Sequence, residues 1–353
     1  MARGPRFVAR REPCASSVVP WRTPKRQDLR AMRPDMFIGS YERSGGHGLY
    51  PAWLDSLGAI SLGPPDTRIG NASFGLLDHR CGTAWFVEEQ EPGAVSAWQW
   101  DDQVWTPLGR IGTGGASPCH LVRSPDGTLL AVANNDGGVA ALVELDPETG
   151  ALGKLAGVLR NEGGARSHAG CVRFAGDRIF IADRGLDRVL SCEYGAAGFG
   201  EVRTAFAAPR GSGPRQLLLR DDLALLACEL TARLMLLRAT GEGFELLDDI
   251  ATDAAATPGN LAGHLAFQGD RIFVSNRGAD TVASFRIDGE RLRREDCWSS
   301  HGRSPRHFAM CGSYLVVTNE QDGIVCVLDI ANGGRIAGTA IVPGAAFVLA
   351  MPL

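Results

Sequence analysis

SPCHLVRSPDGTLLAVANNDGGVAALVELD, residues 117–146, holds apolar runs separated by Pro125-Asp126-Gly127 and by a polar corner at Asn134-Asn135-Asp136-Gly137-Gly138. Pro presets φ, Asp bonds its own backbone and Gly accepts positive φ, so the first break reads as a tight turn. The flanking runs have no helical periodicity and read as short strands. The same pattern returns along the chain. Strand-like runs end in a polar residue at Ser40, Glu89, Asn134, Asp183, Glu229, Asn276 and Asn319, at successive steps of 49, 45, 49, 46, 47 and 43 residues. A unit recurring at such a period is one supersecondary module that buries its apolar face against copies of itself.

Each unit has the same grammar. A leading segment such as SPCHLV, GPRQLLL, AGHLAF or SPRHFAM enters a first strand, and a turn leads to the apolar second strand. A Gly-containing corner then opens an alternating third strand, as in DRGLDRVLSCEY or NEQDGIVCVLDI, before a weaker fourth. Four short strands per repeat predict an all-β fold, a seven-bladed β-propeller of four-stranded antiparallel blades. The first copy, MFIGSY, begins at a second strand, whereas the final VPGAAFVLAMPL looks like a first strand. The C-terminal strand is therefore expected to complete blade 1 and close the ring, removing exposed strand edges.

Composition narrows the function classes. Residues 1–35 hold nine Lys/Arg against three Asp/Glu, leaving 27 basic against 37 acidic residues in the rest. An acidic body argues against a nucleic-acid surface. No apolar run is long enough for a membrane span or a signal peptide. The basic head is expected to be a disordered leader, an untranslated stretch ahead of Met32 or Met36, or a transit peptide, with residues 36–353 forming one propeller domain. Nine scattered cysteines without C-x-x-C spacing suggest neither a disulfide framework nor a zinc site. The expectation is a cytoplasmic protein, monomeric or weakly homo-oligomeric, without metal or organic cofactor.

First strands of propeller blades line the central channel, so their leading residues collect at one mouth. Here those positions carry His120, His168, Arg215, His264, Arg306 and His307, from five repeats. Glu229 ends a strand fourteen residues after Arg215, where a short hairpin returns the chain to the same end of the sheet. A carboxylate beside imidazoles and guanidiniums suits ester chemistry, which needs an activated water, oxyanion donors and an acid for the leaving alkoxide. Arginine forks also suit bidentate recognition of phosphate or carboxylate.

The repeat period, the SPDGTLLAVANNDGGVAAL and IADRGLDRV stretches, GPRQLLL followed by ACEL, FVSNRGADTVASF, and SPRHFAMCGSYLVVTNEQDG together resemble the seven-bladed lactonase family. That family includes propeller-type 6-phosphogluconolactonases and carboxymuconate lactonising enzymes. The resemblance covers about residues 36–353. It implies a lactone hydrolase acting on a small anionic sugar lactone, with Arg215, Glu229 and His168 as catalytic residues. It also maps the arginine of the family's SNR motif onto Arg277. Arg184, His120, His264, Arg306 and His307 complete the expected substrate-binding set. On this expectation Glu229 is the general base, Arg215 and Arg277 hold the anion and polarise the carbonyl, and His168 assists as acid or orienting partner. Two departures stand out: His168-Ala169-Gly170 replaces a common His-x-His, and Gln216 stands where His is usual. A muconate-type cycloisomerase and a non-catalytic binding propeller remain the alternatives.

Overall fold

The computed structural model describes residues 33–101, 103–161, 166–241 and 243–352. Among them the strands form seven antiparallel sheets, one for each repeat. Most of the basic head, residues 1–32, lies outside the described residues. Pro34 and Asp35 already belong to the folded body: the Asp35 carboxylate accepts from Leu54 N at 2.7 Å, and its carbonyl accepts from Met351 N at 2.8 Å.

Blade 5 is representative. Its strands are Pro214–Arg220, Leu223–Cys228, Arg233–Ala239 and Phe244–Ala251, each paired with the next. Blade 4 departs slightly: its third strand, Arg188–Gly195, pairs with the outer strand Arg203–Ala207 and also with the two-residue strand Gly198–Phe199. In blade 1 the innermost strand is the C-terminal Ala345–Ala350, hydrogen-bonded to Met36–Ser40 with Met36 opposite Ala350 and Ile38 opposite Val348. Ring closure from the two ends of the chain is thus as expected.

The core is distributed between blades. Trp85, Val87, Val95 and Ala97 of blade 2 pack on Leu121, Leu130, Val132, Ala141 and Val143 of blade 3, and similar clusters fill the other gaps. This explains one difference from the sequence reading. Alternation was expected in the third strands, yet Val139–Leu145 is buried at six of its seven positions. Both faces of a middle strand meet a neighbouring blade, so neither face is solvated. Exposure is concentrated on outer strands such as Leu152–Arg160.

All seven inner strands share one irregularity. Pairing with the second strand slips between Pro118 and His120, Ala169 and Cys171, Pro214 and Gln216, and Pro305 and His307. It slips likewise between Ala72 and Gly75, Ala262 and Leu265, and opposite Gly39 and Ser40. The unpaired residues are Cys119, Gly170, Arg215, Arg306, Ser73 with Phe74, Gly263 with His264, and Ala346. A bulge turns an extra residue out of the ladder and re-aims its side chain.

Deleting residues 343–353 would strip the inner strand from blade 1 and uncover the Met36–Ser40 edge together with two interblade cores. The truncated chain is expected to aggregate and lose cooperative unfolding by circular dichroism. A soluble truncation that melts cooperatively would contradict closure by this strand.

Candidate active site

The bulged residues converge. Ser73, Phe74, Cys119, Gly170, Arg215, His264, Arg306 and Ala346 line one small cavity on the axis, with His120, Gln216 and His307. Its volume is about 30 Å³, room for a water or two but not for a sugar. The arginines stand at the mouth of this cavity.

There Glu229 forms the centre of one wall. Its Oε2 accepts from Arg215 Nη1 at 2.7 Å, and its Oε1 accepts from Arg277 Nη2 at 2.6 Å and Arg184 Nη1 at 3.2 Å. Three blades supply these groups, so Arg184 and Arg277 belong to the same centre as Arg215. Glu229 is only 3% exposed at its side chain. Burial opposes its charge, but Arg215, Arg277 and Arg184 override burial and hold the carboxyl far below the ordinary carboxylate range. The cluster carries three positive charges and one negative. Burial first, then Arg215, lowers Arg277 to about 10, which leaves it a cation at neutral pH. Each guanidinium gives Glu229 only one of its five N–H donors. Arg277 Nε is buried without a hydrogen-bond partner.

The expected base role of Glu229 meets a physical obstacle here. A general base is most effective when its pKa lies near the working pH, whereas this carboxylate is held ionised with both oxygens committed. Its geometry is that of an organiser for three forks.

Arg306 belongs to the opposite wall, with groups that sequence reasoning missed. It donates to Glu89 at 3.2 Å and to Glu320 at 3.3 Å, and its guanidinium lies over the Tyr41 ring at 5.1 Å. Tyr41 Oη donates to Glu89 Oε2 at 2.7 Å. The walls face one opening: Arg306 acts electrostatically on Arg215 and Arg277, and Cys119 between them responds to Glu89, Arg215 and Arg306. A signal for Glu89 was present in the repeats, since it ends its second strand at the position Glu229 occupies. The other strand ends serve their corners: Ser40 bonds Gly48, Asn134 bonds the carbonyl of Val139, Asn319 that of Ile324, and Asp183 accepts from His168 N. Only the two glutamates reach arginines at the mouth.

The histidines divide. His168 is at the rim, its Nδ1 3.2 Å from the Asn135 carbonyl and 4.0 Å from Asp136, and it does not line the axial cavity. A proton on Nδ1 toward that carbonyl leaves the Nε2 lone pair outward. The second imidazole of a His-x-His would fall on Gly170, where a Cβ would stand 2.7 Å from the Arg215 carbonyl. His120, His264 and His307, expected in the substrate-binding set, form an aromatic floor to the axial cavity. His264 stacks on His307 at 3.8 Å, and Phe74 lies 4.6 Å from His120. His120 Nδ1 accepts from Val172 N at 3.5 Å and His307 Nδ1 from Val348 N at 3.4 Å, each stitching its blade to the next. Gln216 does the same toward Leu265, donating to its carbonyl and accepting from its N–H.

Burial lowers all three floor histidines, His307 to about 3. Burial pushes the Cys119 thiol up to about 12, with Glu89 adding to it, which rules out a resting thiolate nucleophile. A larger cleft of about 610 Å³ lies elsewhere, between blades 1 and 2, lined by Pro34, Trp53, Pro64, Trp100 and Trp105. Its charged groups, Asp66 and Arg68, are paired with each other at 2.6 Å. Among the described residues no cluster of His, Cys, Asp and Glu is arranged to hold a metal ion.

The fold and mouth define a propeller with an anion-attracting axial site. The family described as "Lactonase, 7-bladed beta-propeller" matches residues 35–340, and the chain belongs to it. Membership supports lactone hydrolysis as the general chemistry. The chain is 24% identical over 311 residues to a 6-phosphogluconolactonase of Bacillus subtilis, covering 81% of this chain and 88% of that one. Among solved structures, the periplasmic gluconolactonase of Pseudomonas aeruginosa superposes with a TM-score of 0.76 at 22% identity, covering 90% and 99% of the two chains. A protein of Lactobacillus plantarum gives 0.79 at 23%, with the same coverage.

Two outcomes follow. The floor histidines are neutral when folded and free to protonate when unfolded, so the unfolded chain binds more protons below about pH 6.5, the ordinary histidine value. Stability should be complete above that pH and fall as pH drops toward about 3, by about 1.4 kcal/mol per pH unit for each proton taken up. Thermal melts of the wild type and of His307→Gln should show a shallower acid slope in the variant. Separately, Glu229→Gln leaves three guanidiniums without their counter-charge, a loss of about 3–5 kcal/mol for a broken buried pair. Its Tm should drop and recover partly with inorganic phosphate. An unchanged Tm would remove Glu229 from the centre of the cluster.

Proposed function

We propose that the chain hydrolyses a sugar lactone bearing a phosphate or carboxylate, with 6-phosphogluconolactone as the type substrate. The observation that carries this reading is the cluster of Arg184, Arg215 and Arg277 around the single carboxylate of Glu229, two positive charges in excess. Such an excess in a partly buried site favours an anion, and planar forks favour phosphate or carboxylate over a spherical ion.

In this mechanism Arg277 and Arg184 take the anionic group of the substrate. Arg215, beside the one- or two-water cavity, donates to the lactone carbonyl and stabilises the oxyanion as water adds. Glu229 fixes the directions of the forks, so that their remaining donors are already oriented before substrate arrives. His168 at the rim accepts a hydrogen bond from a sugar hydroxyl through Nε2. The direction of reaction is assigned to hydrolysis because the axial cavity beside the proposed oxyanion donor is polar and large enough to admit a water.

The test is proton release by the purified chain at controlled pH, with 6-phosphogluconolactone and unphosphorylated gluconolactone measured side by side above their spontaneous rates. Acceleration of both is expected, with a higher kcat/KM for the phosphorylated substrate. Arg277→Ala should lower kcat/KM on the phosphorylated lactone by about 10- to 100-fold, the worth of a charge-assisted hydrogen bond, and erase most of the preference. No acceleration of either lactone would refute the reading.

A further inference from the structure

We propose that Glu89 is the general base of the site, held by Tyr41 on the wall facing the arginine cluster. This rests on the lactonase reading and adds to it the group that activates water. The two mouth glutamates occupy equivalent positions in their repeats but have opposite surroundings. Glu229 is gripped by three guanidiniums, two of them at 2.6–2.7 Å. Glu89 meets one guanidinium, Arg306, at 3.2–3.3 Å, and shares it with Glu320. Glu320 is itself contacted by the exposed Arg43 at 3.3 Å. With Arg43 counted, the wall formed by Glu89, Glu320 and Arg306 is neutral, where the opposite wall carries two positive charges in excess.

A carboxylate in the first setting is too weak a base to deprotonate water. In the second, the short bond from Tyr41 falls on Oε2, while Oε1 has only the 3.3 Å contact from Arg306 and keeps a lone pair for water. The groups facing Glu89 are Tyr41, Arg306 and, across the cavity rim, Cys119. Tyr41 is fully buried and its phenol is pushed up, by burial above all, so it stays a donor and fixes the carboxylate plane. Substrate then lies across the mouth with its anion on the Glu229 side and its lactone carbon toward Glu89.

The step balances with water as the sole co-reactant. Glu89 takes a proton as the water oxygen bonds to the carbonyl carbon and the carbonyl electron pair moves to the oxygen held by Arg215. Collapse of that intermediate breaks the ring C–O bond, and the proton on Glu89 passes to the leaving alkoxide. The product is a hydroxy acid, which ionises in solvent.

The experiment compares the full-length wild type with Glu89→Gln, Glu89→Ala and Tyr41→Phe on 6-phosphogluconolactone, with binding of 6-phosphogluconate measured by calorimetry. Glu89→Gln should lower kcat by about 10²–10⁴-fold, the usual worth of a general base, and bind 6-phosphogluconate within about threefold of wild type. Formate should partly restore Glu89→Ala, which no structural role predicts. Tyr41→Phe should lower kcat more than it changes KM. Wild-type turnover with Glu89→Gln equally fast, or a Glu89→Gln loss matched by lost product binding, overturns the base assignment and leaves the lactonase reading intact. A wild type inactive on lactones overturns both.

Discussion

Seven inner strands have to meet around one axis, and each does so with a residue that its own sheet cannot pair. Near the axis the sheets converge, and a strand that kept perfect register would hold every side chain against a neighbouring blade. The bulge releases one or two residues per blade from the ladder and turns a side chain toward the centre. Chemistry is then decided by which residue occupies that slot. Cys119, Gly170, Ala346 and Ser73 are small and leave space; Arg215 and Arg306 are long and fill it from two sides. The close approach of Gly170 to the Arg215 carbonyl shows how tightly the slots are coupled.

The charged groups at the mouth follow from this placement. A guanidinium delivered to a half-buried axis needs a counter-ion, and the nearest backbone able to provide one is the end of a second strand, at the same height as the bulge. Five repeats place Ser, Asn or Asp there, short side chains used at their own corners. Blades 2 and 5 place Glu, whose extra methylene carries the carboxylate to the axis. The two pairings are unequal. Arg277 and Arg184 join Arg215 on Glu229, whereas Arg306 is divided between Glu89 and Glu320. One wall is consequently positive and the other neutral, although the body of the chain is acidic on balance.

Architecture was legible in the sequence because a repeat announces itself seven times over: strand ends recur at a regular step and the split first blade betrays its own closure. That Arg215 and Glu229 return to the same end of one sheet was legible for the same reason, whereas Arg277 and Arg184 entered through the family resemblance. What was obscure depended on height along the axis. His120 and His307 stand one residue below the bulges occupied by Cys119 and Arg306, and that single step turns a mouth residue into part of a buried floor. His168 is two residues before its bulge and falls at the rim. Tyr41 and Glu320 flank the strand ends instead of occupying them, so no alignment of the repeats singled them out. Glu89 did occupy the slot, and its pairing with an arginine from blade 7 is a contact across the ring that spacing alone does not express.

The floor has a consequence for selectivity. Stacked imidazoles and phenylalanines, tied to adjacent inner strands, close the channel below a cavity of about 30 Å³. A sugar ring cannot descend into the propeller, so one face of it has to remain near solvent, where shape is read poorly. Discrimination in such an open site comes from charge and from the direction of a few fixed donors, and here these are guanidiniums fastened by Glu229 before any ligand binds. On the proposed reading, the anionic group selects the substrate and sets its orientation, which leaves the lactone end to meet water beside Arg215. The interblade hydrophobic clusters include the slot residues Phe74 and Ala346 but neither Arg215 nor Arg306, so the charge preference rests on slots that the apolar core does not use.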